Sequence, residues 1–364
     1  MIHIVIGTKA QLIKMAPIMR RLSLLDIEYN YIYTGQHRDT MEDIHRNFSI
    51  KSFDKVLHNK GDIVSVLAMF IWFFKILSIT LFNSKDIFNN DKNGVVLVHG
   101  DTISTLLGAI MGKFAGVKVA HVESGLRSFN LLHPFPEEIT RVLTFKLSDY
   151  SFCPGSWAVK NLKRYKMVKI DTVNNTLYDS LTEAMPLINS YKDINIPDSK
   201  YVVVTIHRFE NLNNLNRMKE LLDILNNLSE KFKVLFILHK PTKKALNKYK
   251  LMEKFSSKIE FRERYDYFRF IGLVSSSEFI ISDGGSNQEE CYYLGKPVLL
   301  YRKATERGEG IGINCVVSRY ERDTIFSFFN NYENYKRDFL KIEESPSDLI
   351  IENLRKFYLS KTKL

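Results

Sequence analysis

Short apolar runs that stop on histidine, glycine or aspartate, then give way to amphipathic stretches, constrain this chain more than any other feature. His3–Ile6 ends at Gly7-Thr8, Glu28–Tyr33 at Thr34-Gly35-Gln36-His37, and Val95–Val98 at His99-Gly100-Asp101-Thr102. Val117–His121 leads into Val122-Glu123-Ser124-Gly125-Leu126-Arg127. The second half repeats the rhythm. Tyr201–Ile206 ends at His207-Arg208, Val234–Leu238 at His239-Lys240-Pro241, and Phe279–Ser282 at Asp283-Gly284-Gly285-Ser286. Between the runs lie helical patterns such as Ile13, Met15, Ile18, Met19 and Leu22, so the chain predicts parallel βαβ units.

The polar residues therefore fall just past the carboxyl ends of strands, where open α/β sheets bind ligands. Two such sheets facing one another predict a deep cleft between two domains. A length of 364 residues exceeds one typical core, and the polar stretch Ile188–Ser199 suits a linker. The expected division is a first Rossmann-like domain over 1–185 that carries the carboxylates and a second, nucleotide-binding one over 186–345. A helix within 346–364, from Asp348 to Leu359, is expected to pack back on the first.

A net charge of +11 calls for an anionic partner: nucleic acid, a membrane surface or a phosphorylated substrate. The chain has no zinc knuckle, RNP-type strand or basic heptad region, which sets nucleic acid aside. Cys153, Cys291 and Cys315 are far apart and form no CxxC pair, so neither a disulfide framework nor a structural metal is expected. No GxGxxG or Walker loop occurs, and no cofactor is expected. The opening Met-Ile-His-Ile-Val-Ile lacks the basic region and cleavage site of a signal peptide, which favours the cytoplasm. Val64–Phe82 is nearly all apolar but carries Lys75. It reads first as a buried or dimer-interface helix, and second as a helix lying on a membrane face.

Two strand-to-helix turns, Gly7-Thr8-Lys9 and Asp283-Gly284-Gly285-Ser286, let a backbone approach an anion, and Lys9, Lys14 and Arg208 add cations. A diphosphate is the ligand this set suits. Asp101, Glu123, Glu137 and Glu138 follow strands or the next loop of one domain, and carboxylates paired in a cleft suit proton abstraction and delivery. His207, in the other domain, is a second acid or a leaving-group contact. Glu289, Glu290 and Glu306 can hold ribose hydroxyls or orient Arg307, and Tyr267 and Phe268 stack on a base or serve the core.

Gly7-Thr-Lys-Ala-Gln-Leu-Ile-Lys14, Gln36-His37-Arg38, His99-Gly-Asp-Thr102, His121-Val-Glu-Ser-Gly-Leu-Arg127 and Pro134-Phe-Pro-Glu-Glu138 resemble motifs of the non-hydrolysing UDP-N-acetylglucosamine 2-epimerases. So do Thr205-Ile-His-Arg-Phe-Glu-Asn211, Gln288-Glu-Glu290 and Thr305-Glu-Arg307, all in the family's order. The resemblance implies a glycosyltransferase-B-like pair of Rossmann-like domains and a homodimer. It also implies a two-step reaction without metal or NAD, in which UDP is eliminated across C1–C2 and added back on the other face. By position, Asp101, Glu123 and Glu137 would move the C2 proton, with His207 near the leaving diphosphate. Lys14, Gly284, Gly285 and Ser286 would hold phosphates, Glu290 the ribose and Phe268 the uracil. Lys9, Gln36, His37, Arg127, Arg208, His239 and Arg307 complete the expected contacts to the UDP-sugar.

The departures gather at the phosphate loops. The family's Gly-Thr-Arg-Pro-Glu is Gly7-Thr8-Lys9-Ala10-Gln11 here, and its Asp-Ser-Gly-Gly-Ile is Asp283-Gly-Gly-Ser-Asn287. Lysine cannot form arginine's two-pronged phosphate contact. Gly308 replaces a proline, and Asn174 a glycine. The retained carboxylates favour a 2-epimerase of a 2-acetamido sugar nucleotide. The altered loops, positive charge and apolar Val64–Phe82 segment leave a glycosyltransferase with a membrane-linked or polysaccharide acceptor as the alternative, with peripheral contact to the membrane's inner face.

Overall fold

The apolar runs become thirteen strands in the computed structural model, which describes residues 1–36, 41–59, 61, 63, 66–131, 134–188, 194–305 and 307–359. One sheet is built from β1 (Ile2–Ile6), β2 (Tyr29–Tyr33), β3 (Lys55–Val56), β4 (Val95–His99), β5 (Lys118–Val122), β6 (Tyr150–Cys153) and β7 (Val168–Asp171). Its order is β3-β2-β1-β4-β5-β6-β7. The other contains β8 (Tyr201–Thr205), β9 (Lys233–Leu238), β10 (Ile259–Glu263), β11 (Ile280–Ser282), β12 (Val298–Leu300) and β13 (Cys315–Val317), in the order β10-β9-β8-β11-β12-β13. All neighbouring strands are parallel. The chain is thus an α/β protein with two Rossmann-like sheets, and each order reverses once, between β1 and β4 and between β8 and β11.

Parallel strands are covered on both faces, which is why their sequences are continuous rather than alternating. Every residue of β1, β2, β4 and β8 is buried. The first sheet's core joins Val5, Ile32, Val96, Val98 and Val119 to Trp72 and Leu107 of the flanking helices. The second core gathers Val202, Val204, Phe236 and Ile281 with Leu221, Leu225 and Phe328. Cys153, Cys291 and Cys315 are buried and unbonded, and burial pushes the Cys153 and Cys315 thiols up to about 12.

The chain forms two compact units, Met1–Ser180 with Glu343–Leu364, and Leu181–Ile342. The helix Pro346–Leu359 packs against the helix Lys9–Leu24, where Arg21 Nε donates to Asp348 Oδ1 at 2.6 Å. Ser347 N–H also donates to Asp179 Oδ2 at 2.8 Å.

The apolar segment forms the helix Val66–Ile87, only narrowly buried. Trp72, Ile76, Thr80 and Ile87 pack inward, and Trp72 Nε1 donates to Thr34 O at 3.0 Å. Leu67, Phe70, Ile71, Phe74, Leu81 and Phe82 are exposed, so only a stripe of the helix is a core element. It is long and apolar enough to cross a membrane, yet its inner stripe is fixed to the first sheet.

Candidate active site

The turns after β1, β4 and β5 converge at the first sheet's reversal. At Gly7 a Cβ would meet Ser104 Oγ at 1.9 Å and Thr34 Oγ1 at 2.3 Å, so only glycine lets the strand leave this close. Thr8 caps the helix Lys9–Leu24 in a reciprocal box with Gln11. Gln11 Oε1 accepts the Gly7 and Thr8 N–H groups at 3.0 and 3.1 Å, while its Nε2 donates to His99 O and Thr105 Oγ1 at 2.8 and 3.0 Å. A glutamate could not make the last two bonds, which accounts locally for glutamine. The consequence corrects one expectation: the N–H groups of Gly7 and Thr8 are already engaged by a side chain, so this loop is a closed turn rather than an open anion cradle. Gln36 Oε1 joins the same floor, accepting from Ser104 Oγ at 2.7 Å and Ser104 N at 3.2 Å.

Glu123 follows β5 with a left-handed φ of +58°, a strained conformation for a residue with a side chain. Its carboxylate is 6% exposed and lies between Lys14 Nζ, 2.7 Å from Oε1, and His99 Nε2, 3.3 Å from Oε2. Lys14 is therefore a buried counter-ion of Glu123. Asp101 follows β4, with its side chain 30% exposed. The Thr140 hydroxyl lies against both the Asp101 and the Glu137 main-chain oxygens, which ties the Asp101 turn to the start of the helix Glu137–Leu147. One Glu137 oxygen, Oε2, is buried without a hydrogen-bond partner among the described residues.

Glu138 differs from its neighbour. It is fully buried and accepts from Arg127 Nε at 2.5 Å, Arg141 Nη1 at 3.1 Å and Ser128 N at 3.0 Å. Burial alone would raise its carboxyl, but the Ser128 N–H and the two guanidinium groups together hold it below the usual range. It is an anchor, and Arg127 is its ion-pair partner.

In the second unit the hub is Asp283, fully buried after β11. It accepts from His207 N at 3.0 Å, Arg208 N at 2.9 Å and Asn211 Nδ2 at 2.8 Å, and its Oδ1 lies 3.4 Å from His207 Nδ1. Burial holds the His207 imidazole toward its neutral form, aided by Arg208 and Arg264 and opposed by Asp283. The His239 ring lies 4.8 Å from that of His207, and its Nε2 is 3.1 Å from Thr205 Oγ1. At Gly284 a Cβ would meet His207 Cε1 at 2.9 Å. The helix Gly285–Leu294 begins there with no side-chain cap and no acidic residue in its first turn, so its N-terminus is open to an anion. Ser286 is exposed at that end.

Arg307 Nη1 is 2.8 Å from Glu289 Oε2 and 3.2 Å from Glu309 Oε1, which matches its charge internally. Glu290 is buried and accepts from Asn287 Nδ2 at 2.9 Å. The Phe268 ring has no exposed surface, so it belongs to the core and leaves only its main chain for a base. Lys9 is half-buried at the start of its helix. His37 and Glu306 lie outside the described residues.

The structure thus assembles Lys14, Gln36, Asp101, Glu123, Arg127 and Glu137 around the first sheet's reversal. It gathers His207, Arg208, His239 and Gly284 around the second. Sequence reasoning missed Arg141 and the hub roles of Gln11 and Asp283. Gln11 had a signal, standing three residues after a capping threonine. Arg141 had a weaker one, lying one helical turn beyond Glu137 and Glu138.

His121 provides a pH test of the first unit. Its Nε2 lies 2.6 Å from Gly100 O, and burial lowers its pKa from 6.5 to about 4 against the pull of Gly100 O, Asp101 and Glu123. A histidine depressed on folding leaves the unfolded chain binding more protons between those values, so stability falls as pH drops from 6.5 to about 4 and then levels. The loss expected from this group is about 3 kcal/mol. The melting temperature followed over that range should decline less in His121→Gln than in the parent. Parallel curves would remove His121 as the cause.

Comparison with known proteins bears on the family and the fold. The sequence profile of the family described as UDP-N-acetylglucosamine 2-epimerase matches residues 22–346. A UDP-N-acetylglucosamine 2-epimerase of Methanocaldococcus jannaschii is 31% identical over 359 residues, covering 93% of this chain and 94% of that one. The crystal structure of the Neisseria meningitidis UDP-GlcNAc 2-epimerase bound to UDP-GlcNAc superposes with a TM-score of 0.81 at 28% identity, covering 98% of this chain and 99% of its own. The Methanocaldococcus jannaschii enzyme in complex with UDP-GlcNAc and UDP gives 0.81 at 27% identity, with the same coverage.

Proposed function

The chain belongs to the UDP-N-acetylglucosamine 2-epimerase family, and from that membership we propose that it interconverts UDP-N-acetylglucosamine and UDP-N-acetylmannosamine. The observation that carries the reading is the gathering of Asp101, Glu123 and Glu137 at one sheet reversal, with only Glu137 presenting a buried oxygen that has no hydrogen-bond partner among the described residues.

In the first step a carboxylate takes the C2 proton while the C1–O bond breaks, giving 2-acetamidoglucal and UDP. In the second, a proton reaches C2 from the opposite face and the UDP oxygen rebonds to C1. Two faces require two proton carriers, and we assign them to Glu137 and Asp101. Glu123, already matched by Lys14, supplies a fixed charge beside them. His207, Arg208 and the open N-terminus of the helix Gly285–Leu294 serve the diphosphate, whose negative charge grows as it leaves. Ser286, Lys9 and His239 are the further UDP contacts we assign, with Glu290 at the ribose and the Phe268 main chain at the uracil.

The test is proton NMR of UDP-N-acetylglucosamine with the protein in D2O. Deuterium at C2 together with UDP-N-acetylmannosamine is the expected result. A protein that binds UDP yet leaves the C2 proton in place overturns the reading in favour of glycosyl transfer.

A further inference from the structure

Arg141 lies on the helix Glu137–Leu147 with its side chain 7% exposed. Two of its nitrogens, Nε and Nη2, donate to the same Asp101 oxygen, Oδ2, at 3.0 and 2.6 Å. The third, Nη1, donates to Glu138 Oε2 at 3.1 Å. Among the described residues nothing donates to the other Asp101 oxygen, Oδ1. The guanidinium thus fixes one edge of a part-exposed carboxylate and leaves the other edge open.

Glu138 in turn fixes Arg141. Its carboxylate has no exposed surface and also accepts from Arg127 Nε, Ser128 N and Phe129 N, so it cannot turn without breaking several bonds. The chain of contacts runs from the backbone at Ser128 and Phe129, through a buried anion and a buried cation, to Asp101. A planar fork holds two carboxylates in fixed directions at once, whereas an ammonium's three donors rotate about one point of charge.

We propose that Arg141 is a positioning residue for the proton transfer: by holding Oδ2 it aims Oδ1 of Asp101 at the C2 hydrogen, and Glu138 aims Arg141. The proposal rests on the epimerase reading. Asp101 emerges from a turn and its side chain is part-exposed, so without the fork the carboxylate would sample several rotamers. A misplacement of about 1 Å at a reacting group costs about 100-fold in rate.

The test uses Arg141→Lys and Arg141→Ala in the full chain, with C2 deuterium exchange, UDP affinity and melting temperature measured on each. Arg141→Lys keeps the charge and is expected to lower kcat for exchange about 100-fold while KM and the Kd for UDP stay within about twofold. Millimolar methylguanidinium should restore at least about tenfold of the rate to Arg141→Ala, and methylammonium should not. If Arg141→Ala does not fold, the lysine variant alone decides.

An Arg141→Lys protein with the parent's kcat overturns the proposal, because the fork would then be dispensable. So does a folded Arg141→Ala protein indifferent to methylguanidinium, or a KM that rises in step with the fall in kcat. A parent protein that leaves the C2 proton in place overturns the epimerase reading and this inference with it, whereas an active parent with an unaffected lysine variant overturns only the inference.

Discussion

Glu137→Gln is expected to slow deuterium incorporation at C2 by on the order of 10³-fold while the Kd for UDP moves less than about threefold. The carboxamide is nearly the same size and keeps the helix start intact, but it cannot accept and return a proton. The neighbouring carboxylates make this prediction specific. Glu138 is held ionised by Arg127 and Arg141, Glu123 is matched by Lys14, and one edge of Asp101 is occupied by Arg141. Glu137 Oε2 has no such partner among the described residues, so of this group it is the buried carboxylate oxygen that the fold leaves without a hydrogen bond. Exchange retained within about tenfold of the parent would move the proton-carrying role elsewhere.

The second large effect is on stability. Asp283→Ala is expected to destabilise the second unit by about 3–5 kcal/mol, the cost of stranding buried partners of a charged group. The carboxylate satisfies two main-chain N–H groups, shares the Asn211 amide with Tyr301 O, and holds the backbone of His207, whose ring lies against Gly284. Hydrogen exchange at the His207 and Arg208 amides should quicken before any change in the first unit, and the urea midpoint should fall. An unchanged midpoint would show that water or a neighbouring carbonyl replaces the carboxylate at little cost.

The sheets were legible because parallel strands announce themselves. Val95–Val98, Val234–Leu238 and Tyr201–Ile206 are continuous apolar runs, and the observed strands differ from them by a residue at one end. The placement of Asp101, Glu123 and His207 beyond strand ends followed from the same pattern. What the sequence hides is which polar groups find each other. Asp101 and Arg141 stand 40 residues apart, and His207 and Asp283 76 apart, so only the closed sheets bring them together.

Burial was hidden for a related reason. An amphipathic run does not say whether Phe268 meets a ligand or the core, and the core takes it completely. Val66–Ile87 shows the converse, since apolar composition alone does not say what covers a helix. The first turn misled because glycine, threonine and lysine after a strand suit an anion, whereas Gln11, three residues on, fills the turn with its own amide.

The docking of Pro346–Leu359 against Lys9–Leu24 reverses the usual order of completion during synthesis. A growing chain emerges from the ribosome N-terminus first, and domains generally fold as they appear. Here a helix of the first unit is translated after the whole of the second, so Leu181–Ile342 has all its residues available while Met1–Ser180 still waits for its closing piece. Until then one flank of Lys9–Leu24, including Arg21, lacks its cover, as does the Asp179 carboxylate on the helix Leu177–Ile188. A nascent chain stalled near residue 342 would hold a finished second half and an unfinished first, which makes Pro346–Leu359 the fastening of the first unit.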